Sequence, residues 1–173
     1  MQDADLLVQL AGIAGVFVGF GALISSRSGG PSDALEVAPM RAVVGMGLLT
    51  VVAALAPVTL GRYGLADHQV WALSSALAMV GLLGFIALSA RTPEYRESWA
   101  TNLAATRWTP GEVVGTAAYV LYMIALVLAP PIIMLGVAPA LEAALYITYV
   151  VLILLGAAWS LLGLVYMQRP KAA

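Results

Sequence analysis

Apolar residues fall in five long runs along this chain, with short polar intervals between them. The runs are Leu6 to Ser25, Met40 to Leu60, Val70 to Ala90, Val113 to about Leu135, and Leu141 to Met167. Each exceeds the ~17 residues that a helix needs to cross a hydrocarbon core. Barrel strands are about 10 residues long with period-two alternation, and no such pattern is visible here. The expected fold is all-α: an integral membrane bundle of five transmembrane helices forming one domain, 1–173.

The intervals carry helix punctuation. Gly29-Gly30-Pro31 breaks the chain after span one, since glycine is permissive and proline lacks a donor. Pro130-Pro131 interrupts the fourth run, and Gly136-Val137-Ala138-Pro139 supplies a turn. Span four is therefore expected to kink or end at the proline pair. Pro139 suits the first turn of span five, where its missing N–H costs nothing. One helix from Val113 to Met167 would reach roughly 80 Å, so a hairpin is required.

The longest polar interval is Arg91 to Glu112. Thr92-Pro93-Glu94 has the order of N-cap, first-turn proline and first-turn acid. Tyr95, Trp99 and Leu103 follow on one helical face. This predicts a short interfacial helix, about 93–106, anchored by Tyr95 and Trp99, with Trp108 a further interfacial anchor. Thr109-Pro110-Gly111-Glu112 reads as a capping box that starts span four.

Charge then orients the bundle. With five spans, Arg27, Arg41, Arg91, Arg96, Arg107, Arg169 and Lys171 share one side, and Arg62 alone lies on the other. Basic residues collect on the cytoplasmic side, so the N-terminus is expected outside and the C-terminus in the cytoplasm. A four-span chain would break this asymmetry by moving Arg169 and Lys171 outside. Arg41, at the mouth of span two, reads as a snorkelling anchor.

Composition agrees with the pattern. The 173 residues are 62% hydrophobic and 10% charged, against roughly 25% charged in soluble domains. The first residues, Met1-Gln2-Asp3-Ala4-Asp5, lack the positive flank of a signal peptide, so the first run reads as a retained span. The expected location is the plasma (cytoplasmic) membrane, with membrane lipids as partners. A net charge of −1 gives no basic field for nucleic acid. The absence of cysteine removes disulfides, thiolate metal sites and thiol nucleophiles.

Little in the spans suggests chemistry. No Asp, Glu, Lys, Arg or His lies near a span centre, where proton pumps and voltage sensors place such groups. His68 is the only histidine, so zinc sites have no ligand set. Ser74 or Ser75 with His68 and Asp67 resembles a hydrolytic triad only on paper, because no nucleophile-elbow context surrounds it. No enzyme activity, no cofactor and no metal are expected.

What remains are faces. Span five repeats Glu142, Tyr146, Tyr149, Ile153, Gly156, Ser160, Gly163 and Met167 with a heptad period. Span one aligns Asp5, Gln9, Gly12, Gly15, Gly19 and Ala22. Small residues let transmembrane helices approach closely, so Gly12, Gly15, Gly19, Gly156, Ser160 and Gly163 are expected at helix-packing faces. The outer ends of the spans bring Asp5, Gln9, Arg62, His68, Trp71, Glu142, Tyr146 and Tyr149 to one depth. They are candidates for an acidic outer vestibule that favours cations.

Ala14-Gly15-Val16-Phe17-Val18-Gly19-Phe20-Gly21-Ala22, Arg41 opening span two, and Trp71-Ala72-Leu73-Ser74-Ser75-Ala76 opening span three resemble a group of small bacterial multispan membrane proteins. The resemblance covers mostly the first half of the chain and implies a bacterial origin, but carries no activity. Two expectations follow from the residues themselves. One is an oligomeric passive channel or small-solute conduit. The other is a non-transporting accessory or scaffold subunit that packs against partner spans.

Overall fold

A computed structural model describes residues 3–27, 34–93, 96 and 110–167. Five long helices cover most of them: α1 (Ala4–Arg27), α2 (Ala34–Leu60), α3 (Asp67–Arg91), α4 (Pro110–Met134) and α5 (Glu142–Met167). Single 3-10 turns, Gly61–Tyr63 and Pro139–Leu141, lead into the short connections at one end. All five helices contain a segment long and apolar enough to cross a membrane. Their exposed faces carry large apolar side chains, among them Leu23, Val80, Leu88, Val114, Leu121 and Trp159. Water does not tolerate so continuous an apolar surface, and a hydrocarbon environment does.

The chain runs up and down, so the starts of α1, α3 and α5 meet the ends of α2 and α4 at one end of the bundle. That end is called the Glu142 end below. Helix α2 is central and packs on α1, α5 and α3, while α4 bridges α3 and α5. The core between them contains Leu7, Ala14, Ala53, Ala78, Tyr146, Tyr149 and Ile153, all with no accessible surface.

Close approach of the helices depends on glycines of α2, which the sequence stripes did not single out. A Cβ on Gly47 would stand 2.6 Å from Val18 Cγ2, and one on Gly45 would collide with the Phe85 ring. Gly12, Gly15 and Gly19 of α1 are instead exposed, with open space where a Cβ would be. The expectation that these three glycines pack within the bundle is corrected. Helix α1 turns Leu7, Leu10, Ala11 and Ala14 inward, because those side chains bury more apolar area than glycine can. Gly163 also has open space, whereas a Cβ on Gly156 would collide with the Tyr122 hydroxyl and Met46.

The proline pair does not end α4, and one helix start differs from the sequence boundary. Helix α4 continues through Pro130 and Pro131 to Met134. Proline has a helical φ, and both residues lie in the final turns, where the lost donors and the ring's crowding of the preceding turn disturb few bonds. The stop comes at Gly136, whose φ of 63° is left-handed. Its N–H donates to the Ile133 carbonyl, and the Val137 N–H donates to the Ile132 carbonyl. Together these two bonds form a Schellman cap. Helix α2 begins at Ala34, ahead of Pro39, and runs through it.

At the other end of the bundle, Thr92 closes α3 in an extended conformation, its N–H bonded to the Ser89 carbonyl. Its own carbonyl accepts from the Arg96 N–H at 3.3 Å, as an N-cap carbonyl does for the first turn of a new helix. The rest of the expected interfacial helix, including Tyr95 and Trp99, lies outside the described residues, as does Trp108.

Candidate functional site

At the Glu142 end, three separate segments meet on one hydrogen-bonding contact. Glu142 starts α5 and is only 4% exposed. Its Oε1 lies 2.7 Å from His68 Nδ1 at the start of α3, and the imidazole is half exposed. The reason for the juxtaposition is local. Ala66 opens α3 in an extended conformation, and its N–H donates to Gln69 Oε1. This places His68 in the first turn. On the opposite side, the Schellman cap at Gly136 brings the α4–α5 turn against the ring, where a Cβ on Gly136 would be 3.2 Å from His68 Cε1.

Below Glu142 the interior of α5 continues as hydroxyls. Tyr146, one turn deeper, is fully buried and donates to the Ala53 carbonyl of α2 at 2.7 Å. Trp71 of α3 packs against its ring, with centroids 5.5 Å apart. Tyr149 follows, its ring centroid 6.4 Å from that of Tyr146. Tyr122 donates to the Leu152 carbonyl at 3.1 Å, and its ring lies 6.3 Å from Tyr119, centroid to centroid. Tyr119 is exposed on α4. Four tyrosines thus descend from the Glu142 end, crossing from the interior of α5 to the outer face of α4.

Three hydroxyls in this region stand apart. Ser74 Oγ, Ser75 Oγ and Tyr149 Oη are buried with no hydrogen-bond partner among the described residues. Ser74 neighbours the Tyr146 hydroxyl, which gives its own proton to the Ala53 carbonyl and keeps lone pairs that can accept. An unpaired buried hydroxyl costs about 1–3 kcal/mol.

The structure therefore brings together His68, Trp71, Glu142, Tyr146 and Tyr149 of the expected vestibule. It does not bring in the rest. Asp5, Gln9 and Arg62 are exposed at or near the same end, away from the packed interior. Arg41 is exposed at the opposite end of α2. Sequence reading placed His68 beside Asp67, but its carboxylate partner is Glu142, 74 residues away. No local signal announces that pairing. Ser74 and Ser75 share the buried side of α3 with Trp71 and Ala78. No group of three or more His, Asp or Glu suited to a metal occurs among the described residues.

No known protein family matches the chain, and no curated protein or solved structure matches it either.

Proposed function

We propose that this chain is a multi-pass protein of the plasma membrane that serves as an oligomeric passive conduit for small solutes. The observation that supports it is the line of polar groups from the Glu142 carboxyl through the Tyr146, Tyr149 and Tyr122 hydroxyls to Tyr119. Such a run offers polar contacts at successive depths, which apolar packing alone does not require. The positive-inside asymmetry supports the orientation: among the described residues the Glu142 end carries Arg62 alone, and Arg27, Arg41, Arg91 and Arg96 lie at the other end. The mouth is then extracellular and has a buried carboxylate beside a half-exposed imidazole.

The oligomer follows from where the run ends. Val150, Ile153 and Ala157 are fully buried, so the deeper interior of one chain is packed shut. The hydroxyls leave that interior at Tyr122 and emerge at Tyr119. A second copy against α4 would enclose the remaining half of the path. Reconstitution into liposomes tests this, with flux of small ions and small neutral solutes as the readout. Flux above protein-free liposomes is expected, carried by a form larger than the monomer. No flux, together with a monomer in detergent, overturns the reading.

A second reading has its own observation. The described residues from Val113 to Leu121, the first half of α4, are exposed all round the helix. A span with no inward face there would suit an accessory subunit that gives this helix to a partner. Retention of a stoichiometric membrane protein on purification from native membrane would favour it. A clean single-component preparation counts against it.

A further inference from the structure

We propose that Ser74 and Tyr149, with Ser75 beside them, form an internal site for small uncharged hydrogen-bonding molecules, water foremost, between α3 and α5. The proposal deepens the conduit reading by naming the class of molecule its outer half admits. It starts from a contrast among hydroxyls. Thr50, Thr59, Thr148 and Ser160 each donate to the carbonyl four residues back, at 2.8, 2.9, 2.8 and 2.9 Å. This is the usual way a helical hydroxyl is satisfied in an apolar setting. Ser74 and Ser75 are also helical and fully buried, yet make no such bond. Tyr149 across the interface has the same unmet need.

Buried polar atoms without protein partners are commonly satisfied by internal water, which needs two to four polar contacts. Ser74 and Tyr149 each neighbour Tyr146, so their hydroxyls and its lone pairs could supply those contacts. The way in would be from the Glu142 end, where the His68 ring is half exposed and Glu142 lies a turn above Tyr146.

The same residues argue against an ion. Below Glu142, among the described residues, the interior offers hydroxyls and no charged side chain. The one backbone carbonyl shown facing them, that of Ala53, already accepts from Tyr146. A selectivity filter replaces an ion's hydration shell with rings of carbonyls or charges, and this lining has neither. A neutral hydroxylic molecule exchanges its hydrogen bonds with water for those with Ser and Tyr, without a charge to desolvate.

The absence of native cysteine allows a direct test. Ser74→Cys, Ser75→Cys and Tyr149→Cys are made singly, with Leu77→Cys on the exposed apolar side of α3 and Asp67→Cys at the helix start as controls. Each is reconstituted in phosphatidylcholine–phosphatidylglycerol liposomes and treated with neutral methyl methanethiosulfonate or its sulfonatoethyl and trimethylammonium-ethyl analogues. Thiolate forms where water reaches, so Ser74→Cys should react with the neutral reagent about tenfold faster than Leu77→Cys. The charged reagents should modify Asp67→Cys readily and Ser74→Cys slowly. Interior cysteines no faster than Leu77→Cys overturn the site. Equal rates with charged and neutral reagents overturn its selectivity for uncharged molecules. Should one variant fail to fold, either of the other two interior positions carries the comparison. In wild-type liposomes, glycerol-driven reswelling should accelerate while potassium flux stays at the protein-free level. Potassium flux overturns the selectivity, whereas labelled interior cysteines without any flux support the site and sink the conduit.

Discussion

His68 Nδ1 and Glu142 Oε1 lie 2.7 Å apart and join the first turn of α3 to the first turn of α5. Helices α3 and α5 otherwise touch sparingly, so this contact is a principal tie between them at the Glu142 end. Glu142 is buried and His68 is half exposed, which makes removal of the two partners unequal. Loss of His68 leaves a carboxyl group in the interior without its partner.

The pair can be weighed by a double-mutant cycle of His68→Ala and Glu142→Gln. His68→Ala should destabilise by about 1–2 kcal/mol in thermal or denaturant unfolding, below the cost of breaking a fully buried pair because the ring is half in solvent. Glu142→Gln should cost less, since an amide still hydrogen-bonds the imidazole. In the companion cycle with Glu142→Ala, which does remove the bond, a coupling energy near zero would mean that the contact contributes nothing.

Gly136 is constrained twice, by its φ of 63° and by the His68 ring. Gly64 has a φ of 72° and open space around it. Both Gly→Ala variants should lose about 1 kcal/mol from the left-handed backbone. Gly136→Ala should lose more, and the difference should shrink in a His68→Ala background. Equal losses in the parent would show that the ring yields freely.

The glycines of α1 and α2 should behave oppositely. Gly47→Val should destabilise by about 1–3 kcal/mol, because the added side chain overpacks the contact with Val18. Gly15→Val has open space and should stay within about 0.5 kcal/mol of the parent. Chemical unfolding in detergent measures both. If Gly15→Val instead changes the oligomeric state on size exclusion, the exposed face of α1 contacts another span.

The two interior tyrosines differ by one hydrogen bond. Tyr146→Phe removes a bond to the Ala53 carbonyl and should cost about 0.5–1.5 kcal/mol, leaving that carbonyl unpaired on this side. Tyr149→Phe removes a hydroxyl with no protein partner, so its cost should be smaller. A larger loss for Tyr149→Phe would mean that bound water contributes more there than the direct bond does at Tyr146.

Topology is accessible through single cysteines as well. Asp67→Cys should react with an impermeant reagent only from outside, and Ser98→Cys only from the cytoplasm. The reverse pattern would invert the proposed orientation and place the Glu142 end inside the cell.

The five helices were legible from the sequence because length and hydropathy are local properties. A run of about 20 apolar residues can satisfy its backbone in lipid only as a helix, whatever its neighbours are. The turns were legible for the same reason: Gly136 and Pro139 act through their own φ and their own missing donor. Side-chain partners were not legible in this way. Periodicity identifies a stripe on α1 but cannot say whether that stripe faces α2 or the outside, since Gly15 and Ala14 suit either. Packing decided it, by setting Val18 against Gly47 and leaving Gly12, Gly15 and Gly19 exposed. The meeting of His68 with Glu142 likewise depends on two helix starts, 74 residues apart, arriving at one depth and one azimuth. Depth followed from counting residues along each span. Azimuth came only from how five helices share one core, and it chose which hydroxyls lie together and which acids remain outside.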